Sequence, residues 1–160
     1  MREIVKHPFA PIYDTNSKIL ILGSLASAKS REIGYPYANP KNRFWKVMEA
    51  LFNEEIIDYK KFLLSKNIAL WDVIKSCEII GSSDASIKNI VVNEIWDILA
   101  DSNIKHIFTN GKKANEIYHK YIYPKTNLKA ICLSSTSPAN AAKRLEDLIE
   151  EYKIILEYRC

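Results

Sequence analysis

Cysteine is scarce in this chain. Three residues in 160, Cys77, Cys132 and Cys160, stand far apart, are odd in number and form no CxxC pair. That usage fits a reducing compartment and argues against a disulfide framework. The three histidines, His7, His106 and His119, are equally scattered and share no ligand spacing with the cysteines, so no metal site and no cofactor is expected. No apolar run approaches the roughly 20 residues that a bilayer span requires. The opening MREIVKH has no hydrophobic stretch of signal-peptide type, so the expected location is cytoplasmic, with no membrane partner. Internal repeats, low-complexity tracts and linkers rich in Pro, Gly or Ser are also missing, and residues 1–160 are read as a single domain. Charge of neither sign dominates: 23 basic against 19 acidic residues leave a net +4, which favours an anionic partner without establishing one.

What is present is ordinary for a globular protein, 48% apolar and 26% charged. Four short apolar runs read as buried strands, at 18–22, 68–73, 106–109 and 129–133. Helical spacing fills the stretches between and after them, at 44–52, 91–100, 111–121 and 139 to about 158. Strand alternating with helix predicts an α/β fold, a three-layer αβα arrangement around a mostly parallel four-stranded sheet. In such sheets ligands bind beyond the carboxyl ends of the strands. Three strand ends here are chemically unusual: GSLAS at 23–27, NG at 110–111 and SSTSPAN at 134–140. Each taken alone could equally be a set of turn formers and helix caps.

The segment 23–45, GSLASAKSREIGYPYANPKNRFW, carries the densest signal. Gly23 permits a sharp turn after the strand, and Ser24, Ser27 and Ser30 can cap a helix or present hydroxyls. GSLASAKS matches neither GxxxxGK[ST] nor GxGxxG, which excludes the common phosphate cradles. Pro36 and Pro40 stiffen the stretch from 35 to 40 and hold Tyr35 and Asn39 extended. In an extended segment Tyr37 and Asn39 share parity, so a ring and a carboxamide can face one pocket, a pairing suited to a flat polar heterocycle. The alternatives are a core aromatic at Tyr37 and a simple Asn-Pro turn at Asn39. Asn42 is positioned to cap the helix headed by Phe44 and Trp45, both suited to core packing.

Taken together, these motifs resemble those of the uracil-DNA glycosylase superfamily. YPYANPKNRFWKV is similar to the pocket segment of the mismatch-specific uracil and thymine enzymes, and SSTSPAN to the Ser-Pro loop that grips the DNA backbone. The nearest likeness is to the hypoxanthine-DNA glycosylase branch, through GSLAS, YPYANPKNRFW, LWDV at 70–73 and STSPAN, in order and at family spacing. The resemblance implies a monofunctional DNA glycosylase of base excision repair, with double-stranded DNA as partner and a monomer as the working form. It makes Asn39 the catalytic residue and assigns base binding to Tyr37, Gly23, Ser24, Leu25 and Phe44. DNA contacts fall to Ser27, to Ser135, Thr136, Ser137 and Pro138, and to Ala139, Asn140 and Lys143. Leu25 departs from the mismatch-specific uracil enzymes, which have an asparagine there to position water; leucine cannot, and uracil excision by that route should be poor. Ala26 replaces the branch's proline, and Ala139 stands where the uracil enzymes carry an intercalating leucine.

In the mechanism so implied, the nucleotide is extruded and its base stacks on Tyr37. An amide donating to O6 while accepting from N1–H would favour hypoxanthine, because adenine would leave both partners unsatisfied at about 1–3 kcal/mol each. Asn39 is expected to play this part and to stabilise the leaving base. Backbone carbonyls near Ser24 and the Ser137 hydroxyl are candidates for orienting the attacking water. Asp72, the one acid near a strand end, could act as a base, although capping or a structural role is favoured. Lys29, Arg31, Lys41 and Arg43, with Lys112, Lys113, Lys143 and Arg144, could meet phosphates, in which case binding weakens steeply with salt. Arg43 could instead pair internally. The competing readings are a uracil or mismatched-thymine glycosylase, and a nucleic-acid-binding module that has lost catalysis.

Overall fold

Apolar strands without alternation need cover on both faces, and the computed structural model, which describes residues 2–81 and 83–160, supplies it. In chain order the elements are β1 (Arg2–Lys6), β2 (Ile19–Gly23), α1 (Ala28–Ile33), α2 (Phe44–Phe52), α3 (Tyr59–Ser65), β3 (Ile68–Asp72), β4 (Ile74–Ile80) and β5 (Lys88–Val92). Then come α4 (Ile95–Ala100), β6 (His106–Asn110), α5 (Lys112–Ile117), α6 (Tyr123–Thr126), β7 (Ala130–Leu133), α7 (Leu145–Tyr152) and α8 (Ile155–Tyr158). The strands β3-β2-β6-β7 form a four-stranded sheet in that order with every pair parallel.

Parity along β2 sorts the core into two layers. Leu20 and Leu22 join Ile95, Ile98 and Ile117 of α4 and α5 on one face. Ile19 and Ile21 join Phe44, Met48, Leu148 and Tyr152 of α2 and α7 on the other. All four β2 side chains are 0% exposed, and burying each contributes about 1.5–3 kcal/mol relative to exposure. This is the three-layer αβα arrangement that the alternation predicts, with the central strand between both layers.

The sequence reading misses a second sheet. β1, β4 and β5 form an antiparallel ribbon in the order β1-β4-β5, and β4 leaves β3 after only Val73. The helix expected at 91–100 is therefore shorter: Val91 and Val92 end β5, and α4 begins at Ile95. The helix expected at 111–121 continues to Thr126, with a wide π turn at Tyr118–Ile122 that ends two residues before Pro124, which has no N–H to give the turn above. The helix expected from 139 starts only at Leu145. The carbonyls of Asn140 and Lys143 are instead taken by the Arg43 guanidinium, so the chain there turns rather than coils.

Candidate active site

Four parallel strands finish along one edge, at Gly23, Asp72, Asn110 and Leu133. All four residues line a cleft of about 970 Å³. The walls come from Ser24, Leu25, Ala26 and Ser27 on one side and from the 134–140 loop on the other.

Gly23 is glycine because of what crowds it. A Cβ at this buried position would lie 2.4 Å from Asp72 Oδ1 and 2.7 Å from Tyr37 Oη, distances that real Cβ atoms do not tolerate. Its backbone remains in β2 and has no positive φ, so close approach takes the place of the sharp turn expected from sequence. Its carbonyl accepts from Val73 N at 2.8 Å, and that of Ser24 from Ile74 N at 3.1 Å.

Tyr37 lines the cleft with one ring face stacked on Phe44, centroids 4.3 Å apart and planes 20° apart. Burial pushes its phenol well above the ordinary value, and the charge of Asp72 pushes the same way, while the Asn110 side chain opposes them. Asn110 Nδ2 reaches Thr136 Oγ1 at 3.0 Å instead, and among the described residues the buried Tyr37 Oη has no hydrogen-bond partner. Phe44 itself is 0% exposed and does not line the cleft. Its place is behind Tyr37 in the core, which corrects its assignment to the base.

The structure separates Asn39 from Tyr37. Tyr37 has φ 56°, a left-handed conformation that breaks the extended parity expected for 37 and 39. Asn39 Oδ1 accepts from Lys41 N at 3.0 Å in a local turn, its own N donates to Ser30 Oγ at 3.3 Å, and its side chain is not part of the cleft wall. Ser27 caps α1 by accepting from Ser30 N at 3.1 Å, so the 23–40 segment is tied together by its own hydroxyls.

A polar bracket joins the ends of β6 and β7 to α2. Thr136 N donates to Asn110 Oδ1 at 3.0 Å, and Thr136 Oγ1 donates to Asn42 Oδ1 at 2.8 Å. The same Asn42 oxygen accepts from Phe44 N at 2.9 Å, which is the expected cap. Thr136 is 0% exposed, so its hydroxyl holds the loop and does not reach DNA. Arg43 completes the bracket, donating to the carbonyls of Ser137 at 2.7 Å, Asn140 at 3.1 Å, Thr136 at 3.3 Å and Lys143. It pairs internally and is not a phosphate contact.

The uracil DNA glycosylase superfamily profile matches residues 10–157 of this architecture. The chain belongs to this superfamily. It is 38% identical over 118 residues to a hypoxanthine DNA glycosylase of Methanosarcina barkeri (strain Fusaro / DSM 804), covering 69% of this chain and 74% of that protein. Against a hypoxanthine DNA glycosylase of Methanosarcina acetivorans it is 34% identical over 119 residues, covering 71% and 75%. The solution NMR structure of a candidate uracil DNA glycosylase from Methanosarcina acetivorans superposes with a TM-score of 0.81 at 29% identity, covering 98% of this chain and 99% of that one.

Within this superfamily fold, the rim of the cleft carries part of the expected cationic set. Lys112, Lys113 and Lys143 line it, the last 3.7 Å from Glu151, while Lys29, Lys41 and Arg144 do not. Arg31 also lines it, with its guanidinium donating to the Ala26 carbonyl at 2.7 Å and facing Glu3 at 3.8 Å. Ser135, Ser137, Ala139 and Asn140 line the cleft, and Pro138 stands exposed beside them, outside the wall. Asn140 Nδ2 donates to the Ser135 carbonyl at 3.0 Å, and Ser137 Oγ accepts from Ala139 N at 3.2 Å. Among the described residues no helix is long and apolar enough to cross a membrane.

Sequence reasoning passes over His7. Its Nε2 lies 2.5 Å from Asp72 Oδ2, and its Nδ1 lies 3.0 Å from the Phe9 carbonyl. The two residues are 65 positions apart in sequence, so no spacing rule links them.

Proposed function

We propose that this superfamily member is a monofunctional DNA glycosylase that hydrolyses the N-glycosidic bond of deoxyinosine in double-stranded DNA, releasing hypoxanthine and leaving an abasic site. The observation that carries this reading is the convergence of GSLAS, Tyr37 and the STSPAN loop, distant in sequence, on one cleft at the strand ends. The names of the two Methanosarcina relatives support the choice of base. Residues 1–160 act as one domain and as a monomer, in the cytoplasm.

A stacked duplex hides the bond to be cut, so the nucleotide is extruded at a cost of a few kcal/mol, least for a poorly paired base. The base enters the cleft against Tyr37, whose ring Phe44 backs, in a contact worth about 1–3 kcal/mol. Leu25 supplies an apolar wall. The 134–140 loop and Lys143 hold the backbone, stiffened from behind by Arg43. As the glycosidic bond breaks, the base gains negative charge, and Asn39 is proposed to meet it from beside the cleft. Its Oδ1 accepts from Lys41 N, which anchors the amide, and its Nδ2 supplies the N–H donors whose polarity the leaving group needs. Water attacks the sugar from the opposite face. The second lone pair of the Ser24 carbonyl and the Ser137 hydroxyl, both of residues on the cleft wall, are proposed to orient it.

Oligonucleotide duplexes bearing inosine, uracil or xanthine, treated with alkali after incubation, test the proposal. Nicking at inosine is expected, with slower nicking at uracil and no borohydride-trapped adduct. Tight binding with no abasic product on any duplex would overturn it. Excision by Asn39→Ala within a few-fold of wild type would remove Asn39 from the chemistry.

A further inference from the structure

Edge recognition of hypoxanthine needs an acceptor for N1–H, and the Asn39 carboxamide, its Oδ1 turned to Lys41 N, is not part of the cleft wall. The cleft offers a different one. Asp72 ends β3, and its backbone is fixed twice: through its register with Gly23 in the parallel pair, and through Asn93 Nδ2, which donates to its carbonyl at 2.8 Å. Its carboxylate is divided between two neighbours. Oδ2 lies 2.5 Å from His7 Nε2, while Oδ1 stands over Gly23, 2.4 Å from where a Cβ there would lie, with the buried Tyr37 hydroxyl, which has no partner among the described residues, 2.7 Å from the same position. The Asp72 side chain is 11% exposed and lines the cleft, whereas that of His7 is 3% exposed.

His7 is clamped for this contact. Its Nδ1 faces the Phe9 carbonyl, and its ring sits edge-on against Phe9 and Trp71 with centroids 5.7 and 6.3 Å away. Trp71 Nε1 donates to that same Phe9 carbonyl at 2.9 Å. A ring so held can turn neither toward solvent nor toward the DNA.

We propose that Asp72 is the base-reading acceptor of this cleft and that His7 is its positioning residue. Asp72 Oδ1 accepts the ring N–H that deamination places on the base, and His7 Nε2 holds Oδ2. The assignment rests on the reading that the cleft receives an extruded deaminated base. Hypoxanthine carries a proton at N1; adenine presents a lone pair there, which an ionised carboxylate repels. A bare carboxylate would also oppose the negative charge that grows on the leaving base. The imidazole answers that objection, because a proton shared toward Oδ2 draws charge away from Oδ1.

The test uses wild type, Asp72→Ala, His7→Leu and His7→Gln. Three duplexes are bound, carrying a tetrahydrofuran abasic analogue, non-hydrolysable 2′-fluoroarabino-inosine, or its 1-methyl derivative. Single-turnover excision is then followed on inosine and 1-methylinosine duplexes. Loss of one hydrogen bond to a charged acceptor predicts that Asp72→Ala slows inosine excision by about thirtyfold or more. Affinity for the tetrahydrofuran duplex should stay within about twofold, since no base is read there. The penalty for the 1-methyl group should fall from at least about tenfold in wild type to under about threefold in Asp72→Ala. His7→Gln, which can still donate to Oδ2, should recover most of what His7→Leu loses. Excision by Asp72→Ala within threefold of wild type, or a methyl penalty that does not change, would overturn the assignment, as would an equal loss of tetrahydrofuran affinity. Affinity for the fluorinated duplexes is read without chemistry, so the Asp72 assignment is decided even if wild type spares inosine. Wild type that excises only uracil, with that activity lost in Asp72→Ala, would overturn the purine reading and support Asp72.

Discussion

Replacing Gly23 with alanine puts a methyl carbon 2.4 Å from Asp72 Oδ1 and 2.7 Å from Tyr37 Oη. Neither neighbour gives easily. The carboxylate is short and held at its other oxygen by His7, and the phenol belongs to a ring stacked on fully buried Phe44. Overpacking of this kind costs about 1–3 kcal/mol, and breaking the His7 contact to relieve it adds about 1–3 kcal/mol for the polar groups left unpaired. The sum, about 2–6 kcal/mol, corresponds to a fall in Tm of roughly 5–20 °C at this chain length. Tyr37→Phe removes the phenol oxygen and leaves the closer carboxylate clash. The double variant Gly23→Ala/Tyr37→Phe should therefore regain only part of the loss. Differential scanning calorimetry of the three variants measures this directly. A Gly23→Ala protein melting within about 2 °C of wild type would mean that the floor of the cleft is not packed as described.

Two further outcomes are expected from the same structure. Arg43→Lys keeps the charge but loses the planar fork that reaches four carbonyls between 136 and 143, and should cost about 2–3 kcal/mol, read as a lower urea midpoint and faster proteolysis of that loop. The phenols of Tyr37 and Tyr152 are both raised above 10.0 by burial, so on unfolding they ionise from pH 10 upward while the folded protein retains the protons. Their contribution is fully present below pH 10 and declines as pH rises beyond it, by about 1.4 kcal/mol per pH unit for each group. Urea midpoints between pH 9 and 11 should fall less steeply for Tyr152→Phe and for Tyr37→Phe, and identical slopes would contradict the burial.

The parallel sheet was legible because β2, β3 and β6 are buried along nearly their whole length and, with the edge strand β7, read as unbroken apolar runs; β2 and β6 fall within a residue of the expected bounds. The antiparallel ribbon was not legible, for the opposite reason. β1 has a single buried residue, Val5, and Ile4 is 75% exposed, so no pattern distinguishes REIVK from a polar tail. Its partner β4 lies some seventy positions away, and pairing across that distance is set by tertiary packing and not by local preference. The late start of α7 has a similar origin. The 139–144 stretch has helix-forming alanines, but a guanidinium from α2's N-terminal boundary takes the carbonyls that a helix would have used.

The cleft shows the same division between what composition signals and what geometry decides. Gly23, Ser24 and Leu25 were legible as residues at a strand end and Tyr37 as a ring in a proline-stiffened segment, and the structure brings all four to one cleft. The partner of Tyr37 was assigned by parity, and parity fails at a residue with φ 56°. A non-glycine left-handed residue costs about 1–2 kcal/mol and survives only when its surroundings require it. Here the requirement is visible: the turn stacks Tyr37 on Phe44 and brings its hydroxyl to Gly23 and Asp72, while Asn39 is carried into a contact with Lys41 N. The turn that removes the carboxamide from the wall is thus the turn that brings the phenol and the carboxylate together. An acceptor-only group then stands where an amide was expected. A carboxylate cannot rotate to donate to adenine N1 as an amide can, so under the role proposed for Asp72 the exchange would make the cleft stricter toward bases that carry a ring N–H.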